Sequence, residues 1–535
     1  MENKKYKVEI KNKCSSCPRG SNEKKEIENM NKFMNGLTNA TNYTLTENGA
    51  VTHKSTLDDV LDMFAFGGAY RTRSDADVIT LFDNALKQDE VHALKCLFYL
   101  RDCRGGQGER RFFRVAMKWL AKTHTDMARR NLQYVPEFGR WDDLYVFVGT
   151  PLEAEAFALI KNQLALDVQS KTPSLLAKWL KSENTSSAES RALGNKTRKY
   201  LGMTHKQYRK TLSILRTRIN IVEKLMSENR WDEIEFDKIP SRAGFIYKNA
   251  FARRDIIKAK YEAFAKDENT KVNAKTLYPY ECVAEAMRVT NSGWGYYGRN
   301  TSDVDRAMIN KYWANLEDYI KGATFNGMAI VDTSGSMCGS NADAPINVAI
   351  SLGLYCAEKA KGPYAGHFVT FSSKPSLVKV EGSDFCDKVA RMAGADWGGS
   401  TNVEAAFDLL LKTALENHCT QDEIPQNLIV ISDMEFNSCV TTNTTTAYAY
   451  RYGGANMETL FEAMERKWAQ YGYQMPHLVF WNVQARQNNI PMRDNGHVSY
   501  VSGMSPVLYE QILKGLTATD LMLDKLDSER YACIH

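Results

Sequence analysis

Apolar residues along the chain change their spacing once, near residue 320, and the change separates two kinds of predicted structure. From about Leu57 to Tyr319 they recur mostly three and four residues apart, as in Leu94, Leu97 and Phe98 and again in Leu212, Leu215, Val222 and Leu225, the period of helices that bury one face. Tight turns punctuate this half at Gly67-Gly68, Arg104-Gly105-Gly106-Gln107-Gly108, Thr150-Pro151, Ile239-Pro240 and Tyr278-Pro279. Short helices joined this way predict an all-helical repeat solenoid or an irregular bundle, although no fixed repeat period is visible. After Gly322, short apolar runs alternate with amphipathic stretches. Strands are predicted at Met328–Asp332, His367–Ser372, Asn427–Asp433, Leu478–Val483 and Val498–Ser502, and helices at Pro345–Lys361, Val403–Asn417, Met457–Tyr471 and Pro506–Gly515. That alternation is the grammar of a doubly wound (Rossmann-type) α/β domain.

The expected organisation is therefore α plus α/β: a polar segment over 1–50, a helical domain over 51–320 and an α/β domain over 321–535. The first segment, rich in Asn, Lys and Glu, is expected to dock loosely. The threonine-rich tract Val440–Ala447 reads as a solvated loop.

Composition adds limits. The chain has 535 residues, 43% hydrophobic and 25% charged, enough apolar material for more than one core. No apolar run reaches the roughly 18 residues of a membrane span, and the opening MENKKYKVEIKNK has no signal-peptide core, so a soluble cytoplasmic protein without a membrane partner is expected. Eleven scattered cysteines fit reduced thiols, and the lone pair Cys14 and Cys17 lacks the further ligands of a zinc site. The net charge of +5 hides an asymmetry: residues 1–320 hold 53 basic and 41 acidic residues, a net +12, and residues 321–535 hold 16 and 23, a net −7.

The strongest chemical signal is Met328-Ala-Ile-Val-Asp332-Thr-Ser334-Gly-Ser336-Met337, a strand that delivers one carboxylate and two hydroxyls to its carboxyl end. Such hard oxygen donors suit Mg²⁺. Thr401, before a helix, and Asp433, ending another strand, supply two more oxygen groups at the same sheet edge. Taken alone, D-x-S-x-S serves equally well as a turn or helix cap. In the helical half, Lys196 to Lys260 contains seventeen Lys or Arg against seven Asp or Glu, interleaved with aromatics. Lys196, Arg198 and Lys199 open this stretch, and helical spacing places Lys206, Arg209, Lys210 and Arg216 near one broad face. Arg101, Arg104, Arg110 and Arg111 surround the glycine turn. Cations with aromatic rings suit single-stranded RNA, and a solvated helix surface is the competing reading. For the glycine turn itself, a tight interhelix connection is favoured over a phosphate clamp.

The five oxygen residues Asp332, Ser334, Ser336, Thr401 and Asp433 resemble the metal-ion-dependent adhesion site of von Willebrand factor A domains, which implies a Mg²⁺ or another divalent cation there and an acidic protein partner completing its shell. Further motifs, among them Thr46-Glu47-Asn48-Gly49-Ala50, Tyr99 to Arg110, Val135 to Asp143, Lys178-Trp179-Leu180 and Trp397 to Asn402, resemble a family with a von Willebrand A-like C-terminal half. Its architecture is similar to that of the Ro, or TROVE-module, ribonucleoproteins, which implies a HEAT-like helical solenoid or ring joined to a von Willebrand A-like domain, and binding of small noncoding or misfolded RNA through the basic helical surface. No nucleophile elbow, Walker loop or H-E-x-x-H motif is present, so a noncatalytic RNA-binding protein is expected. The alternatives are a metal-dependent protein-interaction scaffold without RNA and, with least support, a Mg²⁺-dependent nuclease.

Overall fold

All five strands expected after Gly322 are present in the computed structural model, which describes residues 42–219, 221–292, 302–339, 341–371, 374–393, 401–438 and 458–535. Of two compact units, Met1–Asn42 and Tyr43–His535, the first lies almost wholly outside those residues. Cys14, Cys17, Trp397 and the threonine-rich tract also lie outside the described residues.

In chain order the strands are β1 (Tyr43–Leu45), β2 (Val51–His53), β3 (Gly327–Asp332), β4 (His367–Phe371), β5 (Ser376–Lys379), β6 (Asn427–Ser432), β7 (His477–Asn482) and β8 (Val498–Ser502). The last six form one sheet in the order β5-β4-β3-β6-β7-β8. Only β5 runs antiparallel, paired with β4 through His367 opposite Lys379. Ile330 of β3 lies between Val369 of β4 and Val430 of β6. Strands buried on both faces read as continuous apolar runs, which explains why β3, β6 and β7 stood out. Helices Pro345–Lys359, Val403–Glu416 and Leu460–Gln470 lie where expected. The stretch predicted as one helix over Pro506–Gly515 is instead a 3₁₀ turn, Pro506–Leu508, followed by a single turn, Tyr509–Ile512. Its residues are buried around the circumference, so the apolar pattern there signals burial and not a long amphipathic helix.

The half before Gly322 is helical, from Asp59–Phe66 to Asp303–Ala314. One core runs through both halves. The turn at Gly67-Gly68 meets β8 closely: the Gly68 N–H donates to Ser502 Oγ at 3.0 Å, and a Cβ on Gly68 would lie 2.6 Å from the Ser502 carbonyl oxygen. From the other end of the chain, the Tyr531 hydroxyl donates to Asp102 Oδ2 at 3.0 Å. The loosely docked N-terminal segment is corrected for its last residues. Tyr43 to His53 form a hairpin whose Thr46 hydroxyl donates to the Phe436 carbonyl at 2.6 Å and whose His53 exchanges backbone bonds with Ile490.

Candidate functional site

A cavity of about 1930 Å³ opens among the helices, with residues from Arg71 to Tyr280 on its walls. Fourteen of the lining residues are Lys or Arg and three are Glu. Carboxylates in and around the wall answer much of that charge: Glu109 pairs with Arg71 at 3.0 Å, Asp75 with Arg111 at 2.5 Å, Glu281 with Arg242 at 2.5 Å and Glu228 with Lys224 at 2.5 Å. Six lining cations, Arg104, Arg110, Arg140, Lys178, Arg209 and Arg216, have no carboxylate partner among the described residues.

These six differ in how they are held. The Arg216 guanidinium donates to the carbonyls of Ala177 and Leu180 at 2.8 and 3.0 Å and to Ser182 Oγ at 3.1 Å, so its charge is fixed without being neutralised. Arg140 lies over the Trp179 ring at 4.5 Å and Lys178 reaches the same ring at 5.8 Å. Burial, followed by the charges of Arg110 and Arg101, lowers the Arg140 pKa from its ordinary value. Trp141, Trp179, Tyr247, Tyr278 and Tyr280 line the same space.

The second cluster stands at the carboxyl ends of β3 and β6. Strand order reverses between these two strands, the place where doubly wound sheets leave a crevice for a ligand. Asp332 is 0%, Ser334 1%, Thr401 3% and Asp433 1% exposed. Asp332 Oδ1 accepts from the Ser334 N–H at 2.9 Å and Oδ2 from Ser432 Oγ at 2.5 Å, while Ser334 and Ser336 hydroxyls lie 3.1 Å apart. Asp433 Oδ1 accepts from the Glu435 N–H at 3.2 Å, whereas its buried Oδ2 has no hydrogen-bond partner. Burial raises the pKa of both aspartates, and the Asp433 carboxylate adds to the rise at Asp332. Burial, with Asp433 adding, pushes the neighbouring Glu435 carboxyl up to about 7. Two buried carboxylates, one with an oxygen that accepts no hydrogen bond and lies 3.6 Å from Arg486 Nε, and adjacent hydroxyls form a donor set that fits a hard cation. Among the described residues no three His, Cys, Asp or Glu side chains converge as a metal cluster, so hydroxyls are needed to complete it.

Comparison with known proteins places the chain. The family model described as Domain of unknown function (DUF2828) matches residues 46–173 and 165–324. The chain belongs to the DUF2828 family. A second model, Domain of unknown function (DUF7788), matches residues 326–529. An uncharacterised protein of Acanthamoeba polyphaga mimivirus is 32% identical over 520 residues, covering 88% of this chain and 85% of its own. Among solved structures, the Ro (RSR) protein of Deinococcus radiodurans aligns with a TM-score of 0.49 at 13% identity, covering 86% of this chain and 100% of that one.

In this DUF2828 protein the sequence-predicted residues separate into groups. Arg104, Arg110, Arg111, Arg209 and Arg216 line the cavity together. Arg101 also borders it but is 2% exposed, with Nε and Nη2 on Asp143 Oδ2 at 2.9 and 2.6 Å, so its expected surface role is corrected to an internal ion pair. Lys196, Arg198, Lys199, Lys206 and Lys210 are not on the cavity wall. Lys196 pairs with Glu153 at 2.7 Å and Arg198 with Glu183 at 2.8 Å, carboxylates that lie outside the basic stretch in sequence. Asp332, Ser334, Ser336 and Asp433 lie together at the strand ends, and the Thr401 hydroxyl is 3.5 Å from the Asn48 amide beside them. Sequence reasoning missed Arg140, Lys178 and Trp179 as cavity residues, and Glu47, Asn48, Glu435 and Arg486 around the second cluster. The dipeptides Arg140-Trp141 and Lys178-Trp179 were the available signal.

Proposed function

We propose that this DUF2828 protein binds RNA without catalysing its turnover, taking single-stranded parts of small noncoding or misfolded RNA into the cavity of the helical half. The observation that carries this reading is the set of six cavity cations with no carboxylate partner among the described residues, in a wall that also holds Trp and Tyr rings. Phosphates would neutralise Arg104, Arg110, Arg140, Lys178, Arg209 and Arg216, and bases would stack on cavity rings such as Trp141 and Tyr247. The resemblance of the family's architecture to the Ro ribonucleoproteins points the same way. No helix among the described residues is long and apolar enough to cross a membrane. The test is a gel shift with structured small RNAs at low and high salt, together with sequencing of RNA that copurifies with the protein. Absence of bound RNA at low salt, with no shift, refutes the proposal.

We infer also that Asp332, Ser334, Ser336, Thr401 and Asp433 hold a divalent cation, Mg²⁺ by the hardness of its donors, directly or through water. Once bound, the cation would supply positive charge for an anionic group, and the protein residues would position it at the strand ends. The support is the buried Asp433 Oδ2, which accepts no hydrogen bond among the described residues and has the Arg486 guanidinium near it, at 3.6 Å. Mn²⁺ titration followed by electron paramagnetic resonance should show one site that Asp433→Ala removes. An acidic protein partner approaching this site would have to compete with the chain's own Glu47.

A further inference from the structure

Asp332, Ser334, Thr401 and Asp433 are nearly inaccessible although they sit at a sheet edge where a ligand site is normally open. The turn between β1 and β2 supplies part of the cover. The Glu47 N–H donates to Glu435 Oε2 at 2.7 Å, and the Asn48 amide donates to the Glu435 carbonyl at 2.5 Å and approaches Thr401 Oγ1 at 3.5 Å. From the opposite side Arg486 reaches in. Its Nη2 donates to the Ser336 carbonyl at 2.5 Å, its Nη1 lies 3.3 Å from Glu47 Oε2 and its Nε 3.6 Å from Asp433 Oδ2. Glu47 and Asp433, 386 positions apart in the numbering, therefore share one guanidinium. The Glu47 side chain is 42% exposed, which places its carboxylate at the mouth of the cluster, above the buried donors.

Resting on the cation reading above, we propose that Glu47 is an in-chain anionic ligand: with a divalent cation held by the strand-end donors, the Glu47 carboxylate turns from Arg486 to the cation and closes the site from within. Three features favour it. The turn is already anchored by backbone and amide bonds, so little ordering is needed to bring the carboxylate in. The Glu47 carboxylate is part-exposed at the mouth and already shares the Arg486 guanidinium with Asp433, so it stands beside the donors. Arg486 meanwhile retains the Ser336 carbonyl and Asp433 as partners, so releasing Glu47 strands no guanidinium. The metal then acts as a clasp between the hairpin Tyr43–His53 and the sheet, and an outside carboxylate gains entry only where Glu47 gives way.

The experiment uses the full chain and Mn²⁺ as the probe, with free Mn²⁺ read by electron paramagnetic resonance and hydrogen–deuterium exchange read over residues 43–53. Wild type should bind Mn²⁺, and binding should slow exchange across the Glu47 turn. Glu47→Ala should weaken Mn²⁺ binding about tenfold, abolish the exchange effect and be rescued by millimolar acetate, which supplies the missing carboxylate. Arg486→Gln, which removes the competing partner of Glu47, should bind Mn²⁺ at least as tightly as wild type. Wild-type binding that Asp433→Ala removes but Glu47→Ala leaves intact, with unchanged exchange over 43–53, overturns Glu47 as a ligand and leaves the cation site standing. No Mn²⁺ binding by wild type overturns both.

Discussion

Removing cavity charge should change how RNA affinity responds to salt, and the structure fixes the size of the change. Six lining cations lack a carboxylate partner among the described residues, and each can release one condensed counterion on meeting a phosphate. For a single strand the slope of log affinity against log salt is about −0.7 per phosphate neutralised, so six contacts give about −4, a loss of about 300-fold between 50 and 200 mM monovalent salt. Arg110→Gln with Arg209→Gln removes two of the six, both exposed and without hydrogen-bond partners to strand, so folding should be unaffected. The slope should fall to about −3 and the loss over the same range to about 50-fold. Fluorescence anisotropy with a labelled single-stranded oligonucleotide measures it. Lys206→Gln with Lys210→Gln, equal in charge but off the cavity wall, is the control and should leave the slope near −4 in the same units. A slope that falls equally in both double variants, or in neither, refutes the cavity as the binding surface.

Three further outcomes follow from the packing. Asp143 takes both Arg101 and Arg114, and although burial pushes its carboxyl up, these arginines outweigh burial and hold it below the ordinary range; Asp143→Ala should cost about 3–5 kcal/mol in urea unfolding by stranding Arg101. Burial raises the Asp62 carboxyl to about 6 despite its bonds from Thr56, so the folded state holds a proton that the unfolded state has released between about pH 4 and 6. Stability should therefore fall as pH rises through that window, by about 3 kcal/mol at most from this group, and Asp62→Asn should abolish that component of the pH profile in thermal melts. Gly68→Ala should destabilise by about 1–3 kcal/mol because its methyl meets the Ser502 backbone, and differential scanning calorimetry should show it as a lowered Tm.

What could be read from sequence follows the physics of each element. Strands β3, β6 and β7 are apolar on both faces, so their runs stand out without any partner being known. Strand β5 is an edge with Leu377 58% exposed, and β1 and β2 have three residues each, so neither produces a pattern long enough to recognise. The oxygen cluster was legible because a single strand end carries Asp332, Ser334 and Ser336 together. Glu47 and Arg486 were not, because only the closure of the hairpin against the sheet brings them to Asp433.

The cationic surface shows the limit of counting charge along a chain. Lys196 to Lys260 is the most basic stretch of the helical half, yet Lys196 and Arg198 are answered by Glu153 and Glu183, which lie earlier in the sequence. Arg101 has the same fate one layer deeper, against Asp143. Arg140 and Lys178 are less conspicuous in sequence, but each stands over Trp179 with no carboxylate beside it among the described residues. An anion responds to the charge left after internal pairing. Local density and unpaired charge agree at Arg209 and Arg216 and disagree at Lys196, Arg198, Arg140 and Lys178, and only folding decides between them. For a protein with a net charge of only +5, the residual positive potential gathered in one cavity carries more functional information than the total.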